Sequence, residues 1–169
     1  MSRENTPSIA VIGAGLAGCE CAMALARAGV PCTLFEMKPL RFSPAHSNPD
    51  LAELVCSNSL RSNDPASAVG ALKNELRALG SLTMLAADNA RVPAGKALAV
   101  DRARFSAHIT RLVEAEPLIR LERREIPSLE HFDFETLRQD TAPSGLPPPT
   151  PAGGGGGPPP PPPPTHHGG

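Results

Sequence analysis

The chain has 169 residues, with 16 Lys and Arg against 17 Asp and Glu and a formal net charge of −1. That balance provides no field to steer nucleic acid or an anionic membrane to the surface. The lack of Trp and Tyr, with only five Phe, leaves few platforms for stacking bases. No apolar run is long and charge-free enough to span a bilayer, because Glu20 and Arg27 interrupt the one candidate.

An apolar run at residues 9–12 reads as a strand and opens directly onto Gly13-Ala14-Gly15-Leu16-Ala17-Gly18. A helical pattern follows over 16–28, with Gly29 placed as its C′ residue, and a second strand is expected over 31–36, ending on the acidic Glu36. Strand, glycine turn, helix, strand and terminal carboxylate form a dinucleotide-binding βαβ pattern. Gly13 allows a tight turn, Gly15 a close approach of backbone to a pyrophosphate, and Gly18 close packing of helix on sheet. The free N–H groups and positive dipole end of the helix would hold the diphosphate. Glu36 lies 18 residues beyond Gly18, where its carboxylate can accept hydrogen bonds from an adenosine ribose. An acid there favours FAD or NAD over NADP. Leu16-Ala17-Gly18-Cys19 also mimics a lipoprotein cleavage box. Glu4 cancels Arg3 upstream, and the segment runs on into a helix and strand that a lipidated terminus would not need.

Residues 38–49, with Pro39, Pro44 and Pro49, read as an extended loop, and 51–55 as a short apolar stretch leading to Cys56-Ser57-Asn58-Ser59. Apolar spacing predicts helices over 68–79 (Ala68, Leu72, Leu76, Leu79) and 82–90. Asp101 is expected to cap a helix running to Glu114, with Phe105, Ile109 and Leu112 on one face. Alternating apolar and charged residues predict a strand over 118–126.

Cys19, Cys21, Cys32 and Cys56 show neither CxxC nor paired spacing, so no metal site or disulfide framework is indicated. Four such thiols fit a reducing cytoplasm. Cys19 and Cys21 read as helix-packing residues and Cys32 as core. Cys56 has two readings: a small apolar residue beside a turn, or a thiol whose hydroxyl, amide and Arg61 neighbours could stabilise a thiolate. His46 and His108 read as solvent-facing or core-edge residues, and His166-His167 is too short a tract to argue metal binding.

The composition changes abruptly near residue 142. Pro or Gly fills 20 of the 27 positions from 143 to 169, so this tail has little to bury against the cost of ordering its backbone. Residues 1–142 are expected to be the folded domain. Residues 143–169 are expected to be disordered, with polyproline II character over 158–164. A linker or a reading-frame error explains the abrupt switch better than a proline-recognition ligand.

Several blocks together are more specific than the glycine turn. They are Val11-Ile12-Gly13-Ala14-Gly15-Leu16-Ala17-Gly18, Phe35-Glu36-Met37-Lys38-Pro39, Pro44-Ala45-His46, Ala52-Glu53-Leu54-Val55-Cys56-Ser57-Asn58-Ser59-Leu60-Arg61-Ser62, Arg91-Val92-Pro93-Ala94-Gly95 and Ala97-Leu98-Ala99-Val100-Asp101-Arg102. In this order they closely resemble the N-terminal part of the bacterial folate-dependent tRNA methyltransferase family known as TrmFO (formerly Gid).

The resemblance implies a two-lobed α/β flavoprotein fold and FAD as cofactor. It also implies methylenetetrahydrofolate and NAD(P)H as co-substrates, and methylation of C5 of the T-loop uridine 54 of a tRNA partner in the cytoplasm. It implies that Gly13, Ala14, Gly15, Leu16, Ala17, Gly18, Glu36, Lys38, Ser57 and Asn58 hold the cofactor, with Arg61 beside them. Cys56 falls on a functional cysteine, either nucleophile or proton-handling partner of a second cysteine; uracil C5 becomes nucleophilic only once the ring has been loaded.

Family members are much longer, so the expected Rossmann-like domain is incomplete. A missing C-terminal region or a second chain would supply the second cysteine, most of the folate and tRNA surface and the segment closing the FAD domain. The chain alone is expected not to turn over. The other readings are a nucleotide-binding or Pro-rich interaction module without RNA chemistry, and a relative of the flavin enzymes that modify the wobble uridine of tRNA. The latter share the glycine turn but lack the Cys-Ser-Asn-Ser block.

Overall fold

The computed structural model describes residues 9–130. The expectations for the Pro/Gly-rich tail, the boundary at 142 and His166-His167 lie outside the described residues. The chain runs β1 (Ile9–Ile12), α1 (Leu16–Arg27), β2 (Cys32–Glu36), β3 (Ser59–Ser62), α2 (Ala68–Ala78), α3 (Leu82–Asn89), β4 (Arg91–Val92), β5 (Ala97–Val100), α4 (Arg102–Glu114) and β6 (Ile119–Arg123). Among the described residues no helix is long and apolar enough to cross a membrane.

Strands β1, β2 and β6 form a parallel sheet with β2 in the centre. Ile9 pairs with Cys32 and Ile12 with Phe35, while Cys32 pairs with Ile119 and Glu36 with Arg123. All five residues of β2 are buried, as expected of a parallel strand covered on both faces. The β1–α1–β2 unit is thus the βαβ unit read from the sequence. Its helix ends where Gly29 takes φ +75°. Val30 N–H donates to Leu25 O and Gly29 N–H to Ala26 O, both at 2.9 Å, which is a Schellman closure. A second one ends α2: Gly80 N–H donates to Arg77 O and Ser81 N–H to Leu76 O. Ser81 then caps α3 at once by accepting from Met84 N–H.

The short apolar strands, Leu98 and Val100 of β5 among them, fill a core shared with Leu34 of β2, Leu51, Leu82 of α3 and Phe105, Ile109 and Val113 of α4. Asp101 caps α4 as expected, accepting from Arg104 N–H at 3.0 Å. Leu112 is half-buried, and Val113 takes the innermost place on that face.

Three differences from the sequence reading have physical causes. First, β3, β5 and β4 form a small antiparallel sheet where no strands were expected; at two to four residues each they carry too little periodicity to register. Second, α2 forms, but its leucine stripe is not its inner face: Leu72 is 54% and Leu79 80% exposed. Polar anchoring sets its rotation. Lys73 Nζ donates to Ser62 O at 2.8 Å, and Gly70 sits so close to Asp64 O that a Cβ would lie 1.9 Å from it. Third, Cys21 is exposed, not a buried packing residue of the helix, whereas Cys19 and Cys32 are buried as expected.

Gly18 is the tightest point of the βαβ unit. A Cβ there would lie 1.9 Å from Gly13 O, and Gly13 is itself pinned by its N–H to Phe35 O at 2.8 Å. Gly18→Ala is therefore expected to lower the free energy of unfolding by about 3 kcal/mol, as overpacking against a fixed backbone does. Urea titration checks this, and an unchanged midpoint would show that the turn can yield.

Candidate functional site

The site begins where β1 gives way to the glycine turn. Gly13 takes φ +91°, a conformation that costs glycine least. Ala14 is buried: its N–H donates to Glu36 Oε2 at 2.9 Å, and its carbonyl accepts from Ala52 N–H at 2.9 Å. Gly15 is the N-cap of α1, and a Cβ on it would meet nothing within 4 Å.

The four helices among the described residues differ at their N-termini. Ser67, Ser81 and Asp101 cap α2, α3 and α4 with side-chain oxygens. Helix α1 has no side-chain cap and no acid in its first turn. The N–H groups of Gly15, Leu16, Ala17 and Gly18 donate to no acceptor among the described residues. Orphan donors at the positive end of a helix dipole form a site suited to an anion.

Gly13, Ala14 and Gly15 line a cavity of about 310 Å³, together with Ile12, Phe35 and Glu36. Glu36 is only 6% exposed. Its second oxygen accepts from Lys38 N–H at 2.9 Å, so both oxygens are engaged, each with one lone pair to spare. The Lys38 ammonium is buried and donates to Asn48 O at 3.0 Å, Asp50 O at 2.7 Å and Glu53 Oε2 at 3.3 Å. All its donors hold the following loop, so Lys38 shapes the cavity without a free ammonium to offer it. Glu53 gathers the same loop, accepting from the N–H groups of Ser47 and Asn48 at 3.1 Å.

The fold does not bring every expected site residue to this cavity. Leu16 and Ala17 present their side chains to a second cavity, of about 430 Å³, on the flank of α1 facing α2 and α3. Cys56, Ser57 and Asn58 are exposed and are not among the residues lining the first cavity. They form a polar turn entering β3: Ser57 Oγ accepts from Ser59 N–H at 3.0 Å, and Asn58 O from Val100 N–H at 2.9 Å. The approach to that turn is held by Arg102, which donates to Leu54 O at 3.3 Å, and by Thr110, whose Oγ1 accepts from Leu51 N–H at 2.9 Å.

Cys56 is thus not the small core residue of one sequence reading. Burial pushes the Cys19 thiol up to about 12, with Glu36 and Glu20 adding to it, and pushes the Cys32 thiol up to about 11. Both are poor nucleophiles in this state, whereas Cys21 and Cys56 meet solvent.

Several cavity residues were not expected at the site from the sequence. His46, read as solvent-facing or core-edge, lines the cavity, as do Ala52, Glu53, Arg124 and Ile126. The strand expected over 118–126 stops at Arg123. Residues 124–126 leave the sheet to wall the cavity, with the Arg124 guanidinium 5.1 Å from the Phe35 ring centroid.

The fold and this site define a Rossmann-like βαβ protein whose glycine turn and uncapped helix open on a cavity. Residues 8–139 match the family model described as glucose inhibited division protein A. The chain belongs to that family. It is 74% identical over 129 residues to the methylenetetrahydrofolate–tRNA-(uracil-5-)-methyltransferase TrmFO of Nitratidesulfovibrio vulgaris (strain Hildenborough), covering 76% of this chain and 27% of that protein. It is 67% identical to the protein of the same name in Oleidesulfovibrio alaskensis, over 73% of this chain and 28% of that one. The chain thus spans about a quarter of the length of the curated relatives it matches. The solved structure of Aquifex aeolicus GidA shares the fold, with a TM-score of 0.55 at 21% identity over 72% of this chain and 20% of that one.

Burial alone would raise the Glu53 carboxyl, but the N–H groups of Ser47 and Asn48 and the Lys38 ammonium outweigh it and hold it below its ordinary value of 4.5. A depressed carboxyl stabilises the fold above its unfolded pKa, and that contribution is lost as pH falls through the folded pKa. Glu53→Gln should therefore melt at a lower temperature than the parent at neutral pH, and the gap should close below about pH 4.5. Melting curves across that range check it; a gap independent of pH would rule out the charge as the cause.

Proposed function

We propose that this chain holds FAD at its glycine turn and belongs to the machinery of a methylenetetrahydrofolate-dependent tRNA (uracil-5-)-methyltransferase. The observation that carries the proposal is the uncapped N-terminus of α1, opening beside Gly15 onto the cavity. The names of the relatives sharing 67–74% of its aligned residues supply the reaction class.

The residues present fit a dinucleotide. The turn from Gly13 to Gly18 would take the diphosphate on the orphan N–H groups of Gly15 to Gly18, and the open Cβ position of Gly15 leaves room for close approach. Glu36 would use its remaining lone pairs on the adenosine ribose, while Lys38 and Glu53 keep the covering loop in place. Bound FAD would supply the redox chemistry and the one-carbon carriage, with NAD(P)H as reductant. Cys56, exposed ahead of β3, would act on the uracil ring either as nucleophile or as the proton-handling partner of another thiol. Its partner would be tRNA, and its setting the cytoplasm, where free thiols persist.

Gly15 separates fold from ligand cleanly. Its φ of −73° is ordinary, and a Cβ there would meet nothing within 4 Å, so Gly15→Leu should stay folded, with a lowering of the melting temperature no larger than a poorer N-cap residue brings. FAD titration of the same variant should show affinity reduced by about tenfold or more, a loss of at least ~1.4 kcal/mol. Undiminished binding would move the cofactor away from this turn. In a form of the protein spanning the full length of its relatives, Cys56→Ala should abolish uridine methylation with FAD still bound. Retained methylation would remove Cys56 from the reaction.

A further inference from the structure

The loop between β2 and β3 carries one ring whose orientation is set by its neighbours. Ser43 Oγ lies 2.6 Å from His46 Nδ1. The same Oγ accepts from Ala45 N–H at 3.4 Å, and His46 N–H donates back to Ser43 O at 3.1 Å. With Oγ already accepting, its hydroxyl hydrogen is free to donate to Nδ1. Where the hydroxyl donates, the ring carries its proton on Nε2, which has no hydrogen-bond partner among the described residues.

His46 lines the cavity that Gly13, Gly15 and Glu36 share. Of the other polar groups there, all but Arg124 are committed or carry the wrong charge for an anion. The Lys38 ammonium is spent on the loop, Arg124 lies over Phe35 and 3.8 Å from Glu122, and Glu36, Glu53 and Glu125 are acids. The loop is also rigid where it matters, because Glu53 and Lys38 tie 47–50 back to its base.

Resting on the dinucleotide reading above, we propose that His46 orients the diphosphate, its Nε2–H donating to a phosphate oxygen within the cavity that it shares with the glycine turn. Ser43 acts as its positioning residue. The helix end supplies several donors to the group, and His46 adds one from a different segment of the chain.

The test measures ADP, FAD and adenosine binding to the full 169-residue chain by calorimetry, with circular dichroism melts to verify folding. His46→Ala should weaken ADP and FAD by about tenfold, the size expected for one hydrogen bond to a charged group, and leave adenosine unaffected. His46→Gln, whose amide nitrogen falls near the Nε2 position, should retain most of the affinity. His46→Asn, whose amide nitrogen falls near Nδ1, should not. Ser43→Ala should lie between Ala and Gln at position 46. Equal affinities across the series, an Asn variant as good as Gln, or an adenosine affinity that falls as much as that for ADP would each overturn the assignment while leaving the dinucleotide site intact. Failure of the parent chain to bind either ADP or FAD would remove the site itself, and the role of His46 with it.

Discussion

Glu36 closes β2 with a carboxylate that is 94% shielded from solvent, and it spends each oxygen on a backbone N–H from a different segment. One bond reaches Ala14 in the glycine turn and the other reaches Lys38, where the loop toward β3 begins. The start of α1, the end of the central strand and the root of the covering loop are thereby fixed relative to one another. An isolated buried carboxylate would be costly to hold; here two N–H donors and the nearby positive end of α1 offset that cost. The glycine turn and the root of the loop take their positions in the cavity from this junction. Gly13 can stay in its left-handed conformation because Phe35 O, one residue earlier, takes its N–H, and Ala52 docks on the carbonyl of Ala14.

The two sheets divide the labour. The parallel sheet places the glycine turn and Glu36 at the carboxyl ends of its strands, the usual place for a ligand in an α/β fold. The antiparallel β3–β5–β4 sheet presents the Cys56 turn instead. Helix α4 joins the two, since Thr110 holds Leu51 before the turn and Arg102 holds Leu54. Lys38 and Lys73 play matching parts: each is buried, and each plugs a turn by donating to backbone carbonyls.

The βαβ unit was legible because its signals are local and redundant. Glycines at fixed offsets, an Ala-rich helix closed by Gly29, and an acid at the strand end each constrain the same geometry. Helices α2 to α4 were legible from spacing and from Asp101. The rotation of α2 was not, because a periodic leucine stripe promises an inner face, and here Gly70 and Lys73 claim it through contacts with residues 62–64. The small sheet was hidden by strand length. His46 and residues 124–126 were hidden for another reason: they reach the cavity only through a loop held by Glu53 and the end of β6. Long-range contacts of that kind leave no periodic trace. The polar block around Cys56 drew notice from its composition, yet its exposure and its separation from the cavity wall required the fold.

The bare end of α1 ties the persistence of the fold to what surrounds it. Among the described residues, α2, α3 and α4 each place a side-chain oxygen on a terminal N–H, while α1 leaves its own to solvent or to a bound anion. Whatever binds there only in the folded state adds stability by mass action, about 2.7 kcal/mol at a concentration a hundredfold above its dissociation constant. A small domain stands only about 5–15 kcal/mol above unfolding, so that increment is a substantial share. The lifetime of the chain in a cell, and its resistance to proteases that take the unfolded form, would then rise and fall with ligand supply, so that an empty site shortens the life of the molecule that carries it.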